Sequence, residues 1–247
     1  MKRTVLCTLL LAAAAAAAID WREVASVRVP EGEAVSVAVD GETVWKRVPY
    51  DAEIEYIEAA GTQWINTGLV VTPTMRMDVD MAVTDWDATT YSFTGAGGIR
   101  FAFGKGWSGS STGSGNAGML YFGLGAQNLA SSKTLPPLKG VRHIYSLDAA
   151  TATAWLDNTS FVLSSAGTIS TGDRPIMIFA QSTNASGAVR GQQAAKLYGA
   201  VFTDNGIVVR DFIPVRIDTT GYLYDRVSGQ LFGNMGTGAF VLGPDKE

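Results

Sequence analysis

The sequence predicts an all-β protein, a sandwich of about a dozen short antiparallel strands. The 247 residues include 28 Gly and 8 Pro, which interrupt the chain at short intervals. Apolar residues alternate with polar ones along residues 75–83, the period of a half-buried strand. Charged residues make up 17% of the chain, fewer than a helical bundle would use, and no segment has a long helical pattern.

The N-terminus has the pattern of a secretory signal peptide over residues 1–18. Lys2 and Arg3 precede an apolar stretch at residues 5–19, which includes seven consecutive alanines. A basic start, a short apolar segment and small residues at its end predict cleavage after Ala18. The stretch is shorter than the roughly 20 residues of a membrane span. We therefore expect a secreted, cell-surface or periplasmic protein without a membrane span in the mature chain; the alternative is an ordinary N-terminal helix.

Residues 19–47 predict a small β-meander. Val35, Val37 and Val39 alternate with smaller residues, and Asp40-Gly41 is a hairpin turn signal. About 25 residues are too few to be stable alone, so the meander needs a packing partner. That partner would be the main domain, a neighbouring copy or a larger particle. Residues 48–52 are interpreted as a linker, and the main domain as residues 53–247.

In the main domain, strands alternate with turn signals to the C-terminus. The expected strands are, in chain order, 54–56, 63–68, 75–83, two within 91–103, 119–124, 141–147, 152–156, 176–179, 197–202, 207–209, 222–224 and 230–232. Asn205-Gly206 marks the clearest hairpin, and Ser228-Gly229 marks another. The apolar run at 176–179 predicts burial on both faces. The side chains expected to be almost fully buried are Ile176, Ile178, Phe179, Leu197, Val201 and Phe212.

Three segments, residues 54–68, 209–216 and 221–234, resemble the opening and late strands of concanavalin A-like (LamG-like) domains. The 141–157 hairpin is similar to a LamG hairpin, with His143, Tyr145 and Leu147 expected on one face, although Asn158 stands where that motif has glycine. The resemblance covers about residues 53–243 and implies a jelly-roll sandwich. Such domains occur in surface proteins of gut bacteria and in phage tail or host-attachment proteins. One fold hosts many functions, so the resemblance does not identify a ligand.

Catalytic signatures are weak. The same superfamily includes glycoside hydrolases, but residues 77–83 lack the glutamates of its Glu-x-Asp-x-x-Glu strand. Asp78 and Asp80 are interpreted as the solvent face of an amphipathic strand. His143 is the single histidine, lies mid-strand and is interpreted as a packing residue. With Cys7 in the predicted leader, neither a Cys/His zinc site nor a Cys–His nucleophile can be assembled. We therefore expect no enzyme, and a glycoside hydrolase is the less favoured alternative.

The predicted binding site combines a short acidic loop with a long Gly/Ser-rich loop at residues 104–118. Long loops on rigid sandwiches often carry binding functions. Aromatic rings stack on sugar faces, and carboxylates and amides bind sugar hydroxyls. The predicted ligand contacts are Asp85, Trp86, Asp87, Trp107, Asn116 and Gln127. In the alternative interpretation, Trp86 and Trp107 fold back onto the core.

Composition limits the partners. The chain has 19 basic and 23 acidic residues and a net charge of −4, and no basic run exceeds two residues. Nucleic acid is therefore not expected as a partner. No cofactor is expected, although Asp85 with Asp87, or Asp204 with Asn205, would be the places for a Ca²⁺ ion. The sequence favours a non-catalytic glycan-binding or adhesion module. The alternative is a structural or host-attachment component of a phage-type particle, which would not carry an export signal.

Overall fold

The structure is a computed structural model. It describes residues 3–6, 24–29, 32–33, 36–39, 42–46, 48–86, 92–97, 101–105, 120–124, 127–130, 138–162, 173–183 and 185–247. Every regular element in these ranges is a β-strand, which confirms the all-β prediction. The chain divides into two compact units, Met1–Pro49 and Tyr50–Glu247.

The first unit contains two small sheets. Its strands are β1 (Arg3–Leu6), β2 (Val24–Val29), β3 (Gly32–Glu33), β4 (Ser36–Val39) and β5 (Glu42–Lys46). Strand β2 pairs with β1 in parallel and with β3 antiparallel. Strands β4 and β5 are antiparallel, with Val39 opposite Glu42, which is the pairing expected of the predicted hairpin. Its turn residues, Asp40 and Gly41, lie outside the described residues. Strand β1 falls within the predicted signal peptide, whose cleavage stays a prediction.

The described residues of the second unit form nineteen strands, β6 to β24. In chain order they are β6 (Ala52–Glu53), β7 (Ile57–Ala60), β8 (Ile65–Val70), β9 (Met75–Val83), β10 (Ser92–Ala96), β11 (Phe101–Lys105), β12 (Leu120–Leu124), β13 (Gln127–Ala130), β14 (Arg142–Asp148), β15 (Thr153–Leu156), β16 (Thr159–Val162), β17 (Pro175–Ile178), β18 (Gln181–Ser182), β19 (Val189–Arg190), β20 (Ala194–Asp204), β21 (Ile207–Ile217), β22 (Thr220–Asp225), β23 (Leu231–Phe232) and β24 (Val241–Leu242).

The larger sheet has the order β16-β15-β14-β9-β20-β21-β22-β23, and β7 also pairs with β20. The other sheet has the order β13-β12-β11-β10-β18-β19. The β8–β17 pair lies next to this second sheet, because Phe179 N, directly after β17, donates a hydrogen bond to Thr94 Oγ1 on β10. Both predicted late hairpins are present, with Asn205 and Gly206 at φ 50° and 78° in the β20–β21 turn.

Aromatic contacts join the two sheets into a sandwich. Phe103 on β11 stacks on Tyr145 on β14 with ring centroids 4.6 Å apart, and Phe122 on β12 lies 5.5 Å from Phe161 on β16. The predicted burial at residues 176–179 is confirmed, since all four side chains are fully buried. Along β9 the odd-numbered side chains face this core and the even-numbered ones from residue 76 to 80 face outward. Leu197 and Phe212 are buried as predicted.

The prediction for Val201 is wrong, because β20 contains a bulge. Leu197 pairs with Met81, but Gly199 pairs with Asp80, so two residues of β20 oppose one residue of β9. Inward positions are odd-numbered before the bulge and even-numbered after it, and Val201 is only partly buried. The strand predicted at residues 141–147 begins one residue later, since β14 starts at Arg142, and Val141 is 40% exposed.

The segment interpreted as a linker contributes contacts to the second unit. Tyr50 packs edge-to-face on Tyr224 with centroids 5.0 Å apart, and Asp51 N donates to Arg216 O at 2.9 Å. Tyr50 belongs to an apolar cluster with Ile213 and Val215 on the outer face of β21. The compact unit therefore begins at Tyr50 rather than at residue 53.

Two residues of the segments that carry the family resemblance have structural roles. Asp225 is fully buried, and its carboxylate accepts hydrogen bonds from Asp211 N, Val227 N, Ser228 N and Ser228 Oγ. Asn234 Oδ1 accepts from Trp64 N and Gly236 N. These side chains tie the β22–β23 corner to neighbouring strands, so their function is in folding and they are not directed at a ligand.

Candidate functional site

The predicted loop site is only partly within the described residues. Asp85 and Trp86 follow β9, whereas Asp87, Trp107 and Asn116 lie outside the described ranges. Gln127 begins β13 and pairs with Leu124, and its side chain is not described. Whether the six residues meet at one rim therefore stays a prediction. Of the six predicted contact residues, the structure describes the side chains of Asp85 and Trp86.

Trp86 is half-buried and packs against the hydrophobic core, which matches the alternative interpretation in which the ring folds back. Beside it, Lys105 at the end of β11 is almost fully buried. Lys105 Nζ donates a 2.6 Å hydrogen bond to Asp85 O and lies 3.9 Å from Asp85 Oδ2. The sequence placed Lys105 in a Gly-rich loop, and the structure places it on a strand.

His143 is held by a neighbouring turn. Its Nδ1 lies 2.7 Å from Asp157 Oδ2, and Asp157 Oδ1 accepts a hydrogen bond from Ile144 N. The positive φ of this turn is at Asp157, 51°, and not at Asn158, so the turn does not need the glycine of the LamG motif at that position. The ring is 6% exposed and packs edge-on to Tyr145, as the packing interpretation expects.

The second position considered for calcium is a turn cap. Asp204 Oδ1 accepts hydrogen bonds from Thr72 Oγ1 at 2.6 Å and Thr74 Oγ1 at 2.5 Å. These two hydroxyls lower the pKa of Asp204. Within the described ranges, no group of three or more His, Cys, Asp or Glu side chains is placed to hold a metal ion.

The richest arrangement of chemical groups lies on the outer face of the larger sheet, across β15, β14, β9, β20, β7 and the residue before β7. We call it the outer array. Its members combine aromatic rings with paired cations and carboxylates: Tyr56, Glu58, Arg76, Asp78, Asp80, Arg142, Ser146, Trp155, Lys196 and Tyr198. They share one face because side chains alternate along each strand and the register aligns them across strands.

At one end of the outer array, Arg76 links a ring to a carboxylate. Its guanidinium lies over the Trp155 ring, 5.0 Å from the centroid. Its Nε and Nη2 donate to the two oxygens of Asp78 at 2.8 and 2.7 Å, and this pairing raises the pKa of Arg76. Asp78 Oδ1 also accepts from Ser146 Oγ at 2.5 Å. Trp155 is half-buried, so part of the ring faces solvent.

At the other end, Arg142 repeats this pattern with a tyrosine. Its guanidinium lies 4.0 Å from the Tyr198 centroid and pairs bidentately with Asp80 at 2.8 and 2.7 Å. Tyr198 packs edge-to-face on Tyr56 at 5.6 Å, and Lys196 Nζ lies 4.3 Å from the Tyr56 centroid. The β20 bulge falls at Tyr198 and Gly199, so the bulge aims Tyr198 at this cluster.

The rings of the two groups are carried by β15 and β20, which are three strand spacings apart because β15, β14, β9 and β20 are consecutive in the sheet. At about 4.8 Å per spacing, these two strands are roughly 14 Å apart. The intervening surface presents carboxylates and guanidinium groups in fixed bidentate geometry. Such a surface offers flat apolar faces together with directed donors and acceptors.

Sequence reasoning found only a part of the outer array. The Asp78 and Asp80 pair was recognised as an outward face. The missing signal was the pairing of β14 with β9 and of β9 with β20, which joins segments far apart in the chain. Alternation within each strand gives the outward residues but not their neighbours across the sheet.

Comparison with known proteins gives no relative: no family model matches the chain, and no curated protein matches it. In the part of the chain that the structure describes, no helix is both long and apolar enough to span a membrane.

Proposed function

We propose that this protein is a non-catalytic carbohydrate-binding or adhesion module that works outside the cytoplasm, and that the outer array contacts the glycan. The observation that carries the proposal is the placement of Trp155 and Tyr198 at the two ends of one polar sheet face, each beside a bidentate Arg–Asp pair. The concanavalin A-like resemblance and the predicted signal peptide support the same class of function.

The chemistry of the outer array suits sugars. Pyranose rings have apolar C–H faces that stack on aromatic rings, and hydroxyl edges that need both donors and acceptors. Arg76 and Arg142 each supply guanidinium N–H groups beside a carboxylate that accepts, so one hydroxyl can bridge a pair. The three cations, Arg76, Arg142 and Lys196, face three carboxylates, Asp78, Asp80 and Glu58. This balance favours a neutral glycan over a polyanion.

The length of the outer array indicates an oligosaccharide. The two strands that carry the rings are roughly 14 Å apart, a spacing that three sugar units in a chain can bridge. The central groups, Ser146, Asp78 and Asp80, would contact the middle unit. We therefore expect affinity to rise with chain length up to about three sugars and then to level off.

The predicted loop residues stay part of the proposal as a second contact region. Asp85 lies next to the end of β11, because Lys105 on that strand contacts it. The predicted Gly/Ser-rich loop continues the chain from Lys105. If Trp107 stacks on a sugar, Trp107→Ala should weaken binding about tenfold and leave thermal stability nearly unchanged. Unfolding of that variant would assign the ring to the core instead.

The experiment is a glycan array probed with the purified chain, followed by titration calorimetry on the oligosaccharides that bind. Trp155→Ala and Tyr198→Ala should each weaken binding by about 5- to 20-fold, which corresponds to about 1–2 kcal/mol for one aromatic contact. Trp155→Phe keeps an aromatic face and should recover part of the loss. Circular dichroism of each variant checks that the sheet is intact.

Met235→Ala is the matched control, because Met235 is 58% exposed and lies in the loop after β23, away from the outer array. It should bind as the wild type does. Equal affinity of the wild type, Trp155→Ala and Tyr198→Ala for the same glycan would refute the outer array as the binding face. If the chain binds no glycan on the glycan array, the carbohydrate-binding function itself is refuted and the particle-component alternative gains support.

A further inference from the structure

Gly199 is a glycine in the middle of β20 that the fold itself does not require. Its φ is not positive, so the backbone at this position accepts any L side chain. Packing does require the glycine on the next hairpin strand, since a Cβ on Gly221 would lie 2.6 Å from Leu242 Cδ2. A glycine inside a strand weakens it, and one that neither φ nor packing requires marks a place where another molecule comes close to the backbone.

The space above Gly199 is open and lies on the side of the outer array. Leu197 and Ala200 both face the core. The two bulge residues between them, Tyr198 and Gly199, therefore both face outward. An ideal Cβ on Gly199 would lie 3.3 Å from Phe212 O, and no other described atom beyond the chain neighbours would be within 4 Å of it. A Cβ directed into the packed core would instead meet several side chains.

This open space, which we call the Gly199 recess, is bordered by β9, β20 and β21. Asp80 on β9 pairs with Gly199 across the strands and supplies a carboxylate. On the other edge of β20, Phe212 O is the nearest atom, and Ile213 follows it with its side chain in the apolar cluster of the outer face. Tyr198 adds its ring as the neighbouring bulge residue. The recess therefore combines one strong acceptor with apolar walls.

The Asp80 carboxylate can accept a further hydrogen bond. Arg142 Nε and Nη2 donate to its two oxygens at 2.8 and 2.7 Å. A carboxylate accepts about four hydrogen bonds, so about two sites are left. The Asp80 side chain is 27% exposed, which leaves these sites within reach of a ligand. Because Arg142 already balances the charge of Asp80, the matching partner is a neutral N–H or O–H donor and not a second cation.

We propose that the Gly199 recess binds the acetamido group of a 2-acetamido sugar, so that the glycan on the outer array contains N-acetylhexosamine. This inference rests on the proposed function of the outer array. An acetamido group has an N–H that can donate to Asp80 and a methyl group of the size of the missing Cβ. A sugar hydroxyl could donate to Asp80 but would leave the recess to water, and a free amine would bring a cation to a carboxylate that is already paired.

The position of the recess also selects one sugar of the oligosaccharide. Tyr198 and Gly199 are consecutive residues that face the same side, so the sugar that stacks on Tyr198 is the one whose acetamido group enters the recess. The sugar at Trp155 lies at the other end of the outer array, three strands away. One acetamido group, at the Tyr198 end, therefore supplies the preference.

The test is titration calorimetry of the full chain with three trisaccharides that share one β-1,4-linked backbone. Chitotriose carries acetamido groups, cellotriose carries hydroxyls at the same positions, and the glucosamine trimer carries amines. Chitotriose should bind about 10- to 50-fold more tightly than either of the others, because it buries a methyl group and gains a hydrogen bond to a charged acceptor. This comparison uses the wild type, so it is decisive even if a variant fails to fold.

Gly199→Ala is the matching variant, since its Cβ occupies the space proposed for the acetamido methyl. It should weaken chitotriose binding about tenfold or more and leave cellotriose binding within about twofold. Gly233→Ala is the matched control, because its φ is also not positive and its added Cβ would lie the same 3.3 Å from its nearest atom, Tyr222 Cε1. It should bind all three sugars as the wild type does. Trp155→Ala should weaken chitotriose and cellotriose equally.

The outcomes separate the recess from the outer array. Equal affinity for chitotriose and cellotriose would overturn the acetamido site and leave the outer array as a glycan site. The acetamido site is also overturned if the glucosamine trimer binds as tightly as chitotriose, or if Gly199→Ala folds and weakens both neutral sugars equally or neither of them. If none of the three sugars binds, the acetamido site is overturned, and a glycan array without any binding would refute the proposed function as well.

Discussion

Asp225 offers the sharpest test of whether the residues that carry the family resemblance are structural. Its carboxylate is fully buried and accepts three backbone N–H groups and the Ser228 hydroxyl, with Arg210 Nε at 3.5 Å. Asp225→Ala removes all four acceptor contacts and leaves Arg210 without its carboxylate. We expect the free energy of unfolding to fall by about 3–5 kcal/mol. This is less than the sum of four buried hydrogen bonds, because Val227 and Ser228 are exposed and their amides can bind water instead.

Asp225→Asn should cost less, about 1–2 kcal/mol, for a geometric reason. Oδ1 accepts from Asp211 N and Val227 N, and an amide oxygen can keep both bonds. The amide nitrogen replaces Oδ2 and can donate to Ser228 Oγ, but it opposes Ser228 N and Arg210 Nε, so one backbone bond and the carboxylate partner of Arg210 are lost.

Urea unfolding followed by circular dichroism measures both free energies. Asp173→Asn is the control, since its side chain is 77% exposed, and it should change stability by less than about 0.5 kcal/mol. A loss under about 1 kcal/mol for Asp225→Ala would refute the structural role and return this motif to consideration as a ligand site.

Three further predictions follow from the core, the hairpin turn and the N-terminus. Phe212→Ala should lower the free energy of unfolding by about 3–5 kcal/mol, because the buried ring packs on Phe202 and Phe232; a loss below about 1 kcal/mol would contradict the strand assignment. Asp204→Asn should lower the urea midpoint at pH 7. Since the folded pKa of Asp204 is lowered, this difference should shrink as pH falls below about 4; a difference that is the same at pH 2 as at pH 7 would contradict the hydroxyl-based cause. Protein purified from its native host should begin near Ile19, and N-terminal sequencing that finds Met1 would contradict export.

The local parts of the fold were predictable from the sequence. Asn205-Gly206 fixed a tight hairpin because both residues tolerate positive φ, and both adopt it. The alternation along β9 and the apolar run at residues 176–179 predicted which side chains are buried, since period and burial are properties of a single strand.

Features that depend on pairing between distant segments were not predictable. The bulge at Tyr198 and Gly199 has no local signature, because the register with β9 decides it, and it moved Val201 out of the core. Lys105 looked like a loop residue between glycines, since only the pairing of β11 with β10 and β12 shows that the strand continues to it. The outer array was missed for the same reason.

The bulge in β20 also determines where this chain tolerates changes of length. Deleting one residue at Tyr198 or Gly199 would restore a regular ladder with β9, because Leu197 and Ala200 would then be two positions apart and would both still face the core. A deletion elsewhere in the strand would turn one part of it over, so that either Phe202 would face solvent or Lys196 would enter the core. An insertion at the Asn205-Gly206 turn disturbs neither part. Among natural or engineered homologues, gaps should therefore collect at the bulge and at the hairpin ends, and the rest of this strand should keep its length.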